Sequence, residues 1–229
     1  MEPDAPSDQL LENHEREIVL RIMSAASFLI MFPSILQNPR GRSGYLLIFF
    51  NAVFQSGVFA WLGVYFSRRY ALGDRGIGLA LLGYGIPGML LGPLIGRTAD
   101  RFGRNIIIPA GLLISALAGA ALAPQVPLAA AALIVTALSL GFDMSHPPLA
   151  GIITSLDPVR RGQAMGLNAF FLFTGFGVGA VLFQLLLTPA LSMALLVFAG
   201  LEAVMAIIAG VVLRGERSMR PAVVGSGAG

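Results

Sequence analysis

Tyr45–Phe66 runs twenty-two residues without a formal charge. A helix over it rises about 33 Å at 1.5 Å per residue, enough to cross the roughly 30 Å hydrocarbon core of a bilayer. Five more stretches share its character: Ile77–Ile95, Ile106–Ala123, Leu128 to about Leu156, Gln163–Leu187 and Ala190–Leu213. In hydrocarbon every backbone N–H and C=O needs a partner inside the protein, so apolar runs of this length read as helices. With 56% hydrophobic and 12% charged residues, the composition excludes an ordinary soluble domain. The sequence therefore predicts an all-α membrane protein with one bundle of six transmembrane helices.

Between the spans, Asn38–Gly44 reads as a turn-rich basic collar, Ser67–Arg75 as a polar loop, Pro124–Pro127 as an uncharged turn, Asp157–Gly162 as a basic loop and Thr188-Pro189 as a short turn. Ahead of them, residues 1–17 carry six acids against Arg16, the opposite of a secretory signal. Ile18–Leu36 is interrupted by Arg21 and Pro33 and reads as an interfacial amphipathic helix. The expected division is an acidic cytoplasmic leader over 1–43, the bundle over 44–214 and a flexible cytoplasmic tail over 215–229. The glycine-rich end of that tail is either a natural frayed terminus or a cloning remnant.

All 15 basic residues are arginines, and there is no cysteine. Disulfides, thiolate nucleophiles and cysteine-bound metals are thereby excluded. A pI near 9.9 would point to nucleic acid in a soluble protein, but these arginines gather at helix ends. Arg40, Arg42, Arg97, Arg101, Arg104, Arg160, Arg161, Arg214, Arg217 and Arg220 share one side, against Arg68, Arg69 and Arg75 on the other. Arginine-rich loops stay cytoplasmic, so both termini are expected there. Abundant Arg, Gly, Ala and Pro without lysine hint at a GC-rich bacterial source, and hence at a multi-pass protein of the inner membrane.

Gly88, Gly92 and Gly96 in the second span, and Gly111, Ser115 and Gly119 in the third, form small-residue faces that let helices approach closely. Pro87 and Pro93 are expected to kink the second span. Trp61 and Tyr65 read as interfacial anchors, with a substrate box as the alternative.

One decapeptide, Gly96-Arg97-Thr98-Ala99-Asp100-Arg101-Phe102-Gly103-Arg104-Asn105, gathers several charges between two apolar runs and reads as a tight hairpin. Gly96, Ala99, Asp100, Arg101, Gly103 and Arg104 fall on the loop signature of the major facilitator superfamily, which this chain resembles over about residues 38–214; Thr98 and Asn105 depart from it. The resemblance implies a major-facilitator-type bundle in a transporter whose members usually pair two six-helix halves around a substrate cavity. The leader helix and the run Pro158–Gly166 make this chain resemble the second half, helices seven to twelve. Gly175-Phe176-Gly177-Val178-Gly179-Ala180 has glycines but no proline, so the antiporter pattern of a first half is missing, as is a membrane-embedded arginine in the fourth span. Half of the cavity would then come from a partner six-helix half or a second copy, unless the chain is a fragment.

By the same resemblance, Gly96, Asp100, Arg101, Gly103 and Arg104 form a conformational latch in which Asp100 pairs with arginines and a helix N-terminus in one state. The alternative is a plain topology-setting turn, with Asp100 neutralised by Arg97, Arg101 or Arg104. Asp143 and His146 stand three apart on one helical face, where an acid and an imidazole can relay protons. Against that, Asp143 reads as nearer the cytoplasmic boundary than the midplane, and Pro147-Pro148 as a frayed helix end where polar groups meet water. Glu202 is a lone acid in the sixth span, serving either coupling or a packing hydrogen bond. Asn51, Gln55, Asn168 and Gln184 either line a substrate cavity or bond between helices.

These residues point to half of a secondary active transporter, an exporter of a small solute or drug driven by a proton gradient, since no nucleotide-binding loop is present. No cofactor, metal or nucleic acid is expected. The competing reading is a non-transporting membrane interaction module or a truncated fragment. An intramembrane enzyme is disfavoured because His146 has no second histidine and there is no cysteine.

Overall fold

Asn38 starts the first helix: its side-chain oxygen accepts the Arg40 N–H at 3.0 Å, and Pro39 follows at the position where a missing N–H costs nothing. The collar expected as a turn is therefore the first turns of α1, Pro39–Phe59. The computed structural model describes residues 38–156, 160–187 and 190–215. The leader, the interfacial helix, Asp157–Val159, Thr188-Pro189 and the tail past Gly215 lie outside these residues.

A turn at Ala60-Trp61 separates α1 from α2, Leu62–Tyr70. The second span is also broken, into α3, Asp74–Leu81, and α4, Ile86–Phe102. Then follow α5, Arg104–Ala121; α6, Leu128–Leu156; α7, Arg161–Leu187; and α8, Leu191–Val212, which ends in a 3-10 turn over Leu213–Gly215. Taken with α1–α2 and α3–α4 as single spans, these make 6 helical stretches long and apolar enough to cross a membrane. Among the described residues there is no strand.

Three expectations change. The charged hairpin is almost wholly helical: α4 runs to Phe102, α5 begins at Arg104, and Gly103 alone makes the corner at φ 96°, where only glycine is unstrained. The second span breaks at Gly85, φ 84°, ahead of Pro87, which sits in the first turn of α4 where it breaks no hydrogen bond. The polar loop after the first span begins later than Ser67, because the helix continues to Tyr70.

Close packing comes from glycines. A Cβ on Gly175 of α7 would lie 2.6 Å from the Phe49 carbonyl oxygen of α1, and one on Gly179 would overlap the Val53 backbone. A Cβ on Gly111 would lie 2.6 Å from the Gly141 carbonyl, and one on Gly119 would lie 3.2 Å from the Phe54 ring. The small-residue face of the third span thus does what its spacing implies. In the second span Gly88 alone does so, its Cβ position lying 2.8 Å from the Asp143 carboxyl group, while a Cβ on Gly92 or Gly96 would meet nothing within 4 Å.

We call the end of the bundle that holds Gly103 the hairpin end and the opposite end the far end. Around Phe54, Phe66, Leu138 and Phe198 lies one apolar cluster, toward the far end; around Ile48, Ile108, Leu149 and Ala209 lies another, toward the hairpin end. Between them in sequence fall Asn51, Ser115, Ser139 and Ser145, Asn168 and Glu202, all buried, while buried Gln55 lies within the far-end run between Phe54 and Val58. At the far end Arg69 donates to the Ala123 carbonyl and to Ser192 Oγ at 2.6 Å, while Tyr70 donates to the Val126 carbonyl at 2.6 Å. Tyr65 is buried beneath this clamp, and the half-buried Trp61 donates its indole N–H to the Ala180 carbonyl at 3.2 Å.

Candidate functional site

The first four N–H groups of a helix have no partner within it. In α4 the first internal bond runs from Met89 to Gly85, which leaves Gly85, Ile86 and Gly88, Pro87 having no N–H to satisfy. Two side chains from the middle of α6 supply what the α4 sequence lacks. Ser139 Oγ accepts the Gly85 N–H at 2.9 Å, and the Asp143 carboxylate packs against Gly88 in the first turn. Ser139 also donates to Asp143 Oδ2 at 3.3 Å. Four residues apart, the two lie on one face of α6 and together cap α4 from a neighbouring helix. The carboxylate complements the positive end of the α4 dipole.

Glycine makes this approach possible. A Cβ on Gly88 would lie 2.8 Å from the Asp143 carboxyl carbon and from each of its oxygens. The preceding turn is fixed by Gln55, whose amide donates to the Tyr84 hydroxyl, and by Phe59, whose ring centroid lies 4.3 Å from that of Tyr84.

Beyond the cap, toward the hairpin end, α4 and α6 diverge around a cavity of about 280 Å³. Gly88, Gly92 and Gly96 form one wall, Pro147, Pro148 and Gly151 the other, and Asp143, Asp100 and Arg104 are its charged groups. Asp143 is half-buried and Asp100 exposed. Arg104 packs its guanidinium against α6, 3.3 Å from where a Cβ on Gly151 would stand. Arg101 lies over the Phe102 ring at 5.4 Å, and no ion pair joins Asp100 to Arg97, Arg101 or Arg104 among the described residues.

The candidates thus divide. Gly96, Asp100, Arg104 and Asp143 meet around the cavity, while Arg101 and Gly103 stand beside its mouth. Asp143 is the sixteenth residue of the 29-residue α6, so it occupies the middle of the span and not its boundary. The helix does not fray at Pro147-Pro148 but runs on to Leu156. His146 does not join Asp143: its ring stacks on Phe142 at 5.2 Å, and its buried Nδ1 has no hydrogen bond. Glu202 is fully buried, its two oxygens unpartnered, and it does not line the cavity.

Nor do the four amides line it. Asn51 donates to Ser145 Oγ at 2.9 Å and Gln55 to Tyr84, so both bond between helices. Asn168 is buried and Gln184 exposed, both away from the cavity. Sequence reasoning missed Ser139 and the cavity wall. The available signal was the spacing of Thr136, Ser139 and Asp143, a polar face on an otherwise alanine- and leucine-rich helix.

Six membrane-length spans, one of them broken and capped from its neighbour beside a charged cavity, define an integral membrane protein of the transporter type. A family model for the Major Facilitator Superfamily matches residues 44–228, and the chain belongs to that superfamily. No curated protein and no solved structure matches it.

Proposed function

We propose that this chain is one six-helix half of a secondary active transporter for a small solute, coupled to protons, which works by alternating access with a partner half or a second copy. The observation that carries the reading is Asp143, a carboxylate at the middle of a span that both caps a broken helix and faces a cavity. Ionisable groups at such depth are expensive and mark solute or ion pathways, and broken helices recur at transporter binding sites. A group that holds a helix break in one protonation state and releases it in the other ties proton movement to shape. Of the three coupling candidates, Asp143 alone faces open space, which favours it over His146 and Glu202.

The latch role of Gly96, Asp100, Arg101, Gly103 and Arg104 belongs to the same proposal. Asp100 stands unpaired at the cavity mouth, available to a positive partner in another state. Efflux across a bacterial inner membrane with both termini in the cytoplasm completes the reading, supported by the arginine bias.

The test is gradient-driven flux of a panel of cationic and neutral solutes in sealed vesicles, with the chain alone and with candidate partner halves. Asp143→Asn is expected to abolish accumulation against a gradient. Asp100→Asn is expected to slow flux at least about tenfold, a barrier change of about 1.4 kcal/mol. If correctly inserted protein gives no flux in any pairing, an interaction module becomes the better account.

A further inference from the structure

We propose that the cavity between α4 and α6 binds a small solute carrying one positive charge, an ammonium or amidinium, with Asp143 as its counter-ion. This deepens the transporter reading by naming a substrate class, and rests on that reading only for the word substrate; the binding stands by itself.

The space comes first. Gly92 and Gly96 meet nothing where their side chains would be, so the stripe that spacing alone assigns to helix contact is instead the wall of an opening. At about 280 Å³ the opening lies just below the range of pockets for drug-sized ligands, roughly 300–1,000 Å³, and so suits a small solute.

Charge decides the sign. Two carboxylates and one guanidinium line the cavity, a formal net charge of −1. Arg104 does not offset Asp143: it rests against Gly151, eight residues further along α6 and so about 12 Å away along the axis. His146 is turned to the Phe142 ring. The Asp143 carboxylate accepts from the Ser139 hydroxyl and packs against Gly88, both neutral. A carboxylate has about four lone-pair sites, so acceptor capacity remains for a ligand.

The surroundings favour an organic cation over a metal ion. Among the described residues no group of three or more His, Cys, Asp or Glu is placed to hold a metal, and calcium takes roughly six to eight oxygens. Walls of Ile95, Ala99 and proline instead suit an apolar body and strengthen a charge pair by keeping water out.

The experiment is calorimetric titration of the full chain in phosphatidylcholine nanodiscs with three probes of one shape and different charge: phenethylammonium, 2-phenylethanol and 3-phenylpropionate. Saturable binding of phenethylammonium, at least tenfold tighter than either counterpart, is expected. Asp143→Asn, which keeps a capping acceptor and removes the charge, should weaken it by at least about thirtyfold. Gly92→Leu, which fills the cavity from a half-buried position where a Cβ meets nothing within 4 Å, should abolish it. Equal binding of the neutral probe, preference for the anion, unchanged affinity in Asp143→Asn, or no saturable binding of any probe overturns the proposal. Flux distinguishes the two claims: phenethylammonium binding without flux in any pairing would sink the transport reading alone, whereas flux of another solute without this binding would sink the cation site alone.

Discussion

Glu202 has no solvent exposure and no hydrogen bond to either carboxylate oxygen. Its level in the bundle follows from the meeting of Gly119 with Phe54 and Ala199. One turn from these toward the hairpin end stand Ser115, Asn51 and Glu202, all fully buried, with Ser145 bonded to Asn51. This layer offers an amide and hydroxyls but no cation, so a charge at Glu202 has nothing to offset its loss of hydration. Glu202→Gln keeps the shape and removes the charge. It should change unfolding stability in mild detergent by no more than about 1 kcal/mol of either sign, and should leave gradient-driven flux intact. Glu202→Ala leaves a cavity and should cost roughly 2 kcal/mol or more. Loss of coupled flux in the Gln variant would return Glu202 to the coupling role and displace Asp143 from it.

At the scale of elements the broken second span carries the distinctive chemistry, and its pieces can be weighed separately. Ser139→Ala strands the Gly85 N–H and should cost about 1–3 kcal/mol. Asp143→Asn retains an oxygen beside Gly88 and should cost less than about 1 kcal/mol. Gly88→Ala drives a methyl into the carboxylate and should cost about 1–3 kcal/mol despite alanine's better helix propensity. Urea or thermal unfolding ranks the three, and hydrogen exchange over residues 82–89 should rise in Ser139→Ala and Gly88→Ala. An Asp143→Asn variant as damaged as Gly88→Ala would mean that charge, not capping, holds the break. The spans themselves were legible in the sequence because hydrocarbon forces each apolar run to satisfy its own backbone. The break was not, because its partners Ser139 and Asp143 lie more than fifty residues downstream. Two glycine stripes of equal spacing also met different fates. Gly111 and Gly119 face Gly141 and Phe54, while Gly92 and Gly96 face space, and spacing within one helix does not contain the position of the next.

For the molecule as a whole, orientation rests on an arginine count of ten against three, but the three are not equivalent. Arg69 is spent on the Ala123 carbonyl and Ser192, tying α2 to the α5–α6 turn and to the start of α8. Its guanidinium is thus fixed by the fold. The absence of cysteine makes the chain a clean background in which to measure this. Gly73 at the far end and Gly162 at the hairpin end are both exposed, and a Cβ at either meets nothing within 4 Å, so single cysteines there leave the packing untouched. In intact cells a membrane-impermeant maleimide should label Gly73→Cys, and should reach Gly162→Cys only after permeabilisation. The reverse pattern would place the Gly103 corner outside the cell and put the cavity mouth, with Asp100 and Arg104, on the opposite face of the membrane. Solute binding at Asp143 would survive that result, but the direction of export drawn from the arginine bias would not. Labelling of both sites before permeabilisation would mean a mixed orientation, in which the arginine bias fails to fix the chain one way round.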